Sequence, residues 1–477
     1  MMQNTLPSSQ RGFQSINPTT NKLIQTFEFD TKDEISNKIS KSFEAYKTFK
    51  ELLVQVRTAK FLKLVEILEN HTEVMARSIT EEMGKPITLS RAEVQKVIFH
   101  IKYYCQNAEH FNRQIPVKIE ADNSYTSYEP LGIIYTIIPF NFPFWIAFKG
   151  TTPYMTIGNA VIVRGSDSTP RTTILIKKFM KMAGFGDEFQ IVNSKQEGFK
   201  FIVSNPKIRG VSFTGSSAAG QIIASISEKH LKKCVMELGG SDPFIVLEDS
   251  DIAINGRLKN AGQVCNSSKR LLIHHKLYEQ FKEQLIERLK SISIGDTLSE
   301  QTELGPLARK DILVNLQRQI QQALEEKSAI LLYGNKIPEN LDQKFKQGNF
   351  IIPIVMEVTD LNSIIMREEN FGLLFALYKI KNVEEAISIA NSTEYGLGSV
   401  VISKDTEQAE QISKRIECGI SMINQACFSD TRCSAGGVKR SGYGKECGEW
   451  GVMNLLIPKL TGLINKKNDI IYKNRLY

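Results

Sequence analysis

The stretch from Gly210 to Gly220 reads GVSFTGSSAAG and decides the fold, because it joins a strand, a turn of small residues and the start of a helix. Small residues let the backbone approach a pyrophosphate, and the amides at a helix N-terminus favour its negative charge. The stretch lacks the usual GxGxxG fingerprint, so taken alone it is more often an ordinary strand–helix turn than a cofactor site.

Strands and helices alternate around this stretch in two sets. The first set has candidate strands at 132–138, 160–164, 189–192, 209–213 and 243–247. The second set has them at 269–274, 329–332, 350–357, 374–379, 398–402 and 420–423. Such alternation predicts parallel sheets with crossover helices, and therefore two α/β domains, the first of them doubly wound.

The remaining segments indicate a third, smaller part of the molecule. Residues 33–111 have apolar residues at helical spacing, whereas residues 114–130 look extended and polar, like a hairpin arm. We expect a dinucleotide-binding domain, a catalytic domain and a small β oligomerisation arm. Their boundaries are 1–112 with 131–235, 236–452, and 113–130 with 453–477.

The bulk composition is that of a soluble globular protein, with 477 residues of which 42% are apolar and 23% charged. The net charge of +8 is spread over isolated lysine pairs, so we expect no nucleic-acid partner. Residues 131–148 carry no charge, but Pro139, Asn141 and Pro143 favour a buried strand entering a loop over a membrane span. Seven cysteines without a CxxC pair predict reduced thiols, a cytoplasmic location and no metal site.

A thiol and a carboxylate suggest covalent catalysis with a separate base. Cys265 ends the stretch GQVC (262–265) and lies 28 residues after Glu237, which belongs to MELGG (236–240). The thiol is suited to attack an electrophilic carbon, and the carboxylate to activate water. Asn141, in PFNFP (139–143), can present its amide to an oxyanion together with the backbone N–H of Cys265, although an Asn between prolines is also ordinary turn chemistry.

Two further segments are candidate cofactor contacts. In VRGSDSTP (163–170), a cation and a carboxylate three residues apart could bind ribose hydroxyls; the alternative is a simple helix N-terminus. In EENFG (368–372), a carboxylate next to an aromatic ring could hold a nicotinamide ribose; the alternative is a loop end with solvated acids.

Read in order, these motifs resemble the aldehyde dehydrogenase superfamily. The resemblance includes PFNFP, the basic residue at 164, FTGS (213–216), MELGG, GQVC, EENFG and GGVKRSGYGKE (436–446), and it runs from Asn17 to about Asn454. A closer resemblance, to bacterial succinate-semialdehyde dehydrogenases, rests on EMGKP (82–86), ELGGSDPFI (237–245) and VCNSSKR (264–270).

The resemblance implies an aldehyde dehydrogenase-like fold and a mechanism. Cys265 attacks an aldehyde to give a thiohemiacetal, hydride leaves to the nicotinamide, and Glu237 activates water to hydrolyse the resulting thioester. A homodimer or homotetramer built by the arm is also implied. The implied cofactor contacts are Ile138, Phe140, Arg164, Ser166, Asp167, Gly215, Ser216, Leu238, Gly239, Glu369 and Phe371.

NAD is the expected cofactor, with NADP possible. Asp167 lies where the family holds a carboxylate near the adenine ribose, and a carboxylate repels a 2′-phosphate. Arg164 opposes this preference, because a guanidinium could pair with that phosphate.

The expected substrate is a short aldehyde with a carboxylate, succinate semialdehyde first. Lys149 and Lys259 stand where some succinate-semialdehyde dehydrogenases carry arginines that face the substrate carboxylate. Arg432 and Ser434 are further candidates to line the pocket. The alternative is that both lysines are solvated helix positions.

The sequence departs from the family pattern at four places. Arg164 replaces a lysine, Leu373 replaces a proline, and Ser434-Ala435 replaces Pro-Phe. The segment from Asp251 to Cys265 is about six residues shorter than usual, which is more than one helical turn. A shorter helix could absorb the loss, or Cys265 could be misplaced. The alternatives are therefore a dehydrogenase for another short aldehyde and a catalytically silent relative; a CoA-acylating enzyme is disfavoured because such relatives usually lack a base at the position of Glu237.

Overall fold

A computed structural model describes residues 12–119, 121, 123–248 and 255–463. The polar start of the chain, residues 249–254, which include the start of the shortened segment, and the end of the predicted arm lie outside these ranges. The strands are β1 (Gly12–Asn17), β2 (Lys22–Glu28), β3 (Ile115–Pro116), β4 (Asn123–Pro130), β5 (Ile133–Ile137), β6 (Ala160–Arg164), β7 (Phe189–Ile191), β8 (Ile208–Thr214), β9 (Lys233–Glu237), β10 (Asp242–Val246), β11 (Ser268–His274), β12 (Ala329–Tyr333), β13 (Ile354–Val358), β14 (Leu374–Ile380), β15 (Gly398–Ile402), β16 (Ile420–Ile423), β17 (Gly442–Tyr443) and β18 (Leu456–Leu463).

The helices lie before, between and after these strands. They are α1 (Lys32–Phe49), α2 (Val54–Asn70), α3 (Thr72–Met83), α4 (Ile87–Gln106), α5 (Ala108–Phe111), α6 (Pro143–Lys149), α7 (Thr152–Thr156), α8 (Pro170–Met182), α9 (Gly198–Ser204), α10 (Ser217–Lys229), α11 (Tyr278–Lys290), α12 (Lys310–Glu325), α13 (Ile364–Arg367), α14 (Val383–Asn391), α15 (Thr406–Arg415) and α16 (Gly448–Met453). Within the described ranges, none of them is both long and apolar enough to cross a bilayer.

A six-stranded sheet has the order β17-β9-β8-β5-β6-β7, and all its strands are parallel except β17. The chain builds outward from β5 through β6 and β7, and then continues on the other side of β5 with β8 and β9. This reversal creates a topological switch point at the carboxyl ends of β5 and β8, which is where doubly wound sheets bind ligands. The α/β fold predicted from the two alternating sets is confirmed.

A seven-stranded sheet has the order β12-β13-β14-β11-β10-β15-β16, and only β12 runs antiparallel to its neighbour. Six of its strands match the second predicted set, whereas β10, predicted at 243–247 in the first set, belongs to this sheet. The central strand β11 is buried along its whole length, so its polar residues must find partners inside the protein. The loop that carries Cys265 leads directly into this strand.

A third sheet joins the two ends of the predicted arm. In it β4 pairs with β18 on one side and with β3 on the other, all antiparallel. The domain boundaries themselves stay a prediction. Two strands cross the expected division: β9 spans the boundary at 235/236, and β17 lies within 236–452 yet pairs with β9 in the six-stranded sheet.

The sequence missed the β1–β2 hairpin, β9 and β17, and it merged two helices. Strand β9 reads KCVME. It has only three consecutive apolar residues between charged ends, so its sequence does not predict a buried strand, although Glu237 is buried. The helical pattern predicted over 33–111 breaks at His71, which separates α2 from α3. Gly84 ends α3 with φ +76°, a left-handed conformation that favours glycine.

A buried carboxylate fixes the start of α6, the helix that follows Asn141. Glu93 on α4 accepts hydrogen bonds from the backbone N–H groups of Phe144 (3.0 Å) and Trp145 (2.9 Å), two unpaired donors of the first turn. The same carboxylate forms an ion pair with Lys85, and both side chains are almost fully buried. This pair therefore positions the turn that carries Asn141.

Glu93→Gln is expected to lower the free energy of unfolding by about 3–5 kcal/mol, because it leaves the Lys85 ammonium buried without a counter-charge. Denaturant unfolding of the purified protein measures this. Glu69→Gln is the matched control: Glu69 pairs with Lys102 at the surface, and its loss is expected to change the free energy by about 0–1 kcal/mol. Equal effects of the two substitutions would show that Glu93 does not hold α6.

Candidate active site

A cavity of about 910 Å³ lies at the carboxyl ends of β5, β8 and β9 and the amino end of β11. Cys265, Glu237 and Asn141 all line it, so the structure brings the three predicted catalytic residues together. Several predicted cofactor residues line the same cavity: Phe140, Gly215, Ser216, Leu238, Gly239, Glu369 and Phe371. The trio therefore sits beside the switch point of the six-stranded sheet.

The described part of the shortened segment forms two 3-10 turns, Asn255–Arg257 and Lys259–Gly262. Asn260 and Ala261 both have φ of 54°, and Gly262 has φ of 72°. Three successive left-handed residues cost free energy, so surrounding contacts must hold them. A Cβ at position 262 would lie 1.9 Å from the carbonyl oxygen of Gly372, which leaves room only for glycine. Despite the shortening, Cys265 reaches the cavity.

Arg257 is one of these contacts, and the sequence analysis missed it. Its fully buried guanidinium donates to the carbonyls of Leu374 (3.1 Å), Gly262 (3.3 Å) and Asn370 (2.7 Å), and to the hydroxyl of Ser267. Burial lowers the pKa of Arg257 to about 9. The guanidinium thus ties the strained turn to both flanks of the cavity. The signal that could have identified Arg257 was an arginine inside an otherwise buried segment.

The turn holding Asn141 and the loop holding Cys265 are joined by hydrogen bonds in both directions. Asn141 Nδ2 donates to the carbonyl of Gln263 at 2.9 Å, and Asn260 Nδ2 donates to the carbonyl of Asn141 at 2.9 Å. The Gln263 side chain is fixed in turn by the N–H of Ala308 at 2.9 Å. An amide nitrogen carries two hydrogens, so Asn141 retains one donor for a ligand.

The Cys265 thiol is partly buried, and charges of both signs lie near it. Burial raises its pKa to about 11, while Lys269 and Lys149 act in the opposite direction. The Lys269 ammonium is fully buried, donates to the carbonyl of Cys265 and pairs with Glu369 at 3.0 Å. Lys269 was missed as a site residue, and its signal was a lysine at the start of a wholly buried strand.

Glu237 is the last residue of β9 and is buried, with its Oε1 lacking a partner among the described residues. Burial raises the pKa of Glu237 to about 8; Lys149 lowers it and Glu446 raises it further. A carboxyl group with a pKa near neutrality is suited to general-base catalysis.

Lys149 lines the cavity, and an acid of the protein contacts its ammonium group. Its ammonium forms an ion pair with Glu446, and both side chains are buried. Burial alone would lower the pKa of Lys149, but Glu446 and Glu237 raise it above its ordinary value. Lys149 therefore already has a counter-charge within the protein, and its predicted contact with a substrate carboxylate stays a prediction.

Glycines shape the predicted cofactor wall. A Cβ on Gly239 would lie 2.1 Å from Glu369 Oε2, and a Cβ on Gly215 would lie 2.5 Å from the ring of Phe213. Ser216 is the N-cap of α10 and accepts a hydrogen bond from the N–H of Ala219 at 3.3 Å. A helix N-terminus behind a glycine fits a pyrophosphate.

The aromatic and carboxylate contacts predicted near a nicotinamide lie together. The rings of Phe140 and Phe371 meet edge to face, with centroids 6.0 Å apart. Glu369 accepts from the N–H of Gly240 at 3.2 Å, so its orientation is fixed. The missed residue Ser441 supports this wall, since its hydroxyl donates to the carbonyl of Gly239 at 2.7 Å.

The predicted ribose contacts lie at the carboxyl ends of β5 and β6, outside the lining of the cavity. Ile138 donates its N–H to the carbonyl of Arg164 at 3.0 Å. The Arg164 guanidinium pairs with Asp167 at 2.7 Å and donates to the carbonyl of Ser194 at 3.1 Å. Ser166 shares a hydrogen bond with Ser168 at 3.0 Å.

The predicted substrate residues divide into two groups. Lys259 lines the cavity and is exposed. Arg432 and Ser434 lie outside its lining: Arg432 is held by the carboxylate of Asp430 at 2.8 Å, and the Ser434 hydroxyl donates to the carbonyl of Cys447 at 3.2 Å, so their contact with a substrate stays a prediction.

Comparison with known proteins gives a consistent result. The sequence pattern of the aldehyde dehydrogenase family matches residues 5–460. A succinate semialdehyde dehydrogenase [NAD(P)+] of Escherichia coli (strain K12) is 34% identical over 445 residues, which cover 92% of this chain and 95% of that protein. A probable succinate-semialdehyde dehydrogenase [NADP(+)] of Synechocystis sp. is 32% identical over 452 residues, covering 93% and 98% of the two chains.

Solved structures show the same relationship. The crystal structure of a succinic semialdehyde dehydrogenase from Streptococcus pyogenes in complex with NADP+ superimposes with a TM-score of 0.91 at 30% identity, covering 95% of this chain and all of that one. A putative aldehyde dehydrogenase from Burkholderia cenocepacia gives a TM-score of 0.93 at 27% identity, covering 98% of this chain and 97% of the other. The chain therefore belongs to the aldehyde dehydrogenase family, as its ordered motifs predicted.

Proposed function

We propose that this protein oxidises a short aldehyde bearing a carboxylate, succinate semialdehyde first, to the acid with NAD or NADP. The observation that carries the proposal is the meeting of Cys265, Glu237 and Asn141 in one cavity. The relatives named as succinate semialdehyde dehydrogenases support the choice of substrate.

Cys265 begins the reaction by attacking the aldehyde carbon to form a thiohemiacetal. Its thiol must first lose a proton, and Lys269 and Lys149 favour the thiolate against the effect of burial. The oxyanion forms between the free amide hydrogen of Asn141 and the backbone N–H of Cys265. Because both donors are fixed by the joined loops, little reorganisation is needed as the negative charge develops.

A bound nicotinamide supplies the hydride acceptor that turns the thiohemiacetal into a thioester. Gly215 and Ser216 would hold the pyrophosphate, while Glu369, Phe371 and Phe140 would face the nicotinamide half. Glu237 then takes a proton from water, and the hydroxide attacks the thioester carbon and expels the Cys265 thiolate. Lys149 favours the ionised, basic form of Glu237.

Glu237→Gln is expected to keep a burst of about one reduced cofactor per active site and then stall, with steady-state turnover lowered about a hundredfold or more. Cys265→Ser is expected to lose both phases, and Cys433→Ser, at an exposed thiol, neither. Stopped-flow absorbance at 340 nm separates the phases.

In the unmodified enzyme the thioester hydrolysis rate is expected to rise with pH through about 8, because the ionised carboxylate is the active form and burial raises the pKa of Glu237 to that value.

In the burst experiment, loss of the burst of reduced cofactor in Glu237→Gln would assign the Glu237 carboxylate to a step before thioester hydrolysis.

Arg164 and Asp167 govern the choice between NAD and NADP in this proposal. The Asp167 side chain is about half exposed (49%), so it can turn outward and leave the Arg164 guanidinium to a 2′-phosphate. The relatives named with NADP as cofactor support the use of NADP more strongly than Arg164 and Asp167 did by themselves. Both cofactors are therefore expected to serve.

Asp167→Ala is expected to raise the ratio of kcat/KM for NADP to that for NAD by about tenfold, since it removes the carboxylate that competes with the phosphate for Arg164. Steady-state kinetics with each cofactor measure the ratio. Asp33→Ala, at an exposed carboxylate in the first turn of α1, is the control and is expected to leave it unchanged. An unchanged ratio in Asp167→Ala would remove Asp167 from cofactor selection.

The sheet formed by β3, β4 and β18 is proposed as the contact between subunits of a homodimer or homotetramer. Strand β18 exposes Leu460 (60%) and Leu463 (50%), apolar side chains that a partner would cover. Light scattering at micromolar concentration is expected to give a mass of two or four chains; a monomer would contradict the arrangement.

A further inference from the structure

Five cationic side chains line the cavity, and they differ in whether the protein provides an acid for them. Lys85 pairs with Glu93, Lys149 with Glu446, and Arg309 with Asp311. No carboxylate among the described residues lies within ion-pair distance of the other two, which are Lys96 and Lys259. Since buried charges in proteins are normally paired, the partly buried Lys96 needs explanation.

Lys96 is held in place by neutral groups. Its Nζ donates to the carbonyl of Ser429 at 2.9 Å and lies 4.0 Å from the centroid of the Trp145 ring. A carbonyl and an aromatic ring stabilise an ammonium group but do not neutralise it. The nearby Asp430 carboxylate pairs with Arg432, at 2.8 and 2.9 Å, and does not lie within ion-pair distance of Lys96.

The position of Lys96 on α4 is also well defined. It lies three residues after Glu93, on the same face of the helix, and Glu93 caps α6 through the N–H groups of Phe144 and Trp145. Lys96 therefore projects from a rigid wall next to the helix that follows Asn141, as a specificity residue requires.

We propose that Lys96 is the residue that binds the carboxylate of the substrate, with Lys259 as a second cation at the open side of the cavity. This inference rests on the proposed function, because it assumes an aldehyde that carries a carboxylate. The proposal assigns this role to Lys96 in place of Lys149. Lys149 already pairs with Glu446, whereas the counter-ion of Lys96 would be the substrate carboxylate.

The charges around Lys96 support this assignment. Burial lowers the pKa of Lys96 to about 8, and repulsion from Lys259 and Lys149 adds to the effect, while Cys447 and Glu93 oppose it. A bound carboxylate would relieve that repulsion. His100, one turn further along α4, has its pKa lowered to about 3 by burial and so stays neutral over the working range.

The test compares succinate semialdehyde with butyraldehyde, which lacks the carboxylate, by the ratio of their kcat/KM values. Lys96→Met keeps the aliphatic stem but removes the charge, and is expected to lower the ratio at least about tenfold, mainly through KM for the acid. Values for butyraldehyde are expected to change less than about twofold. Lys96→Arg is expected to retain most of the preference, and Lys102→Met, at an exposed lysine of the same helix, all of it.

A second measurement uses the unmodified enzyme and needs no variant to fold. The ammonium form of Lys96 binds the carboxylate, so the ratio is expected to fall as pH rises above about 8. Titration of Cys265 and Glu237 affects both aldehydes and cancels in the ratio. A merely structural lysine would leave the ratio independent of pH.

The outcomes distinguish the proposed carboxylate-bearing substrate from the proposed role of Lys96. A ratio near one in the unmodified enzyme would overturn both the carboxylate-bearing substrate and the role of Lys96. A high ratio that survives Lys96→Met, or that stays constant through pH 8 to 10, would overturn the role of Lys96 and leave the proposed substrate standing.

Discussion

The reciprocal hydrogen bonds between the Asn141 turn and the Cys265 loop are the constraint on which the active site depends. The turn leaves the carboxyl end of β5 in one sheet, and the loop enters β11 in the other. Neither sheet alone contains both the nucleophile and the amide that would receive its oxyanion. The two bonds of 2.9 Å therefore set the distance at which the chemistry takes place.

Around this junction the protein keeps an unusual number of charges away from water. Such charges are tolerated because most have a partner from a different element: Lys85 and Glu93, Lys149 and Glu446, Lys269 and Glu369. The first pair holds the start of α6, the second acts electrostatically on Glu237, and the third donates to the carbonyl of Cys265. Electrostatics and geometry are thus set by the same contacts.

The sequence predicted the strands and the catalytic trio for local reasons. The buried strands are apolar runs bounded by turn residues, and Cys265, Glu237 and Asn141 each belong to a short ordered motif. Strand β9 was not predicted, because its apolar run is very short and ends in charged residues. The ion pair between Lys149 and Glu446 was not predicted, because the two residues are distant in the chain and become adjacent only after folding. The partners of Arg432 and Ser434 were likewise not predicted, since these hydrogen bonds form only in the folded chain.

The ion pair between Lys85 and Glu93 has a consequence for evolution and engineering. A buried pair is often no more stabilising than well-packed apolar residues of the same volume. Selection for thermal resistance alone would therefore accept a double replacement of these two residues by hydrocarbon side chains. Such a protein would lose the acceptor for the first N–H groups of α6 and loosen the turn before it. The pair marks a position where stability and activity are in competition.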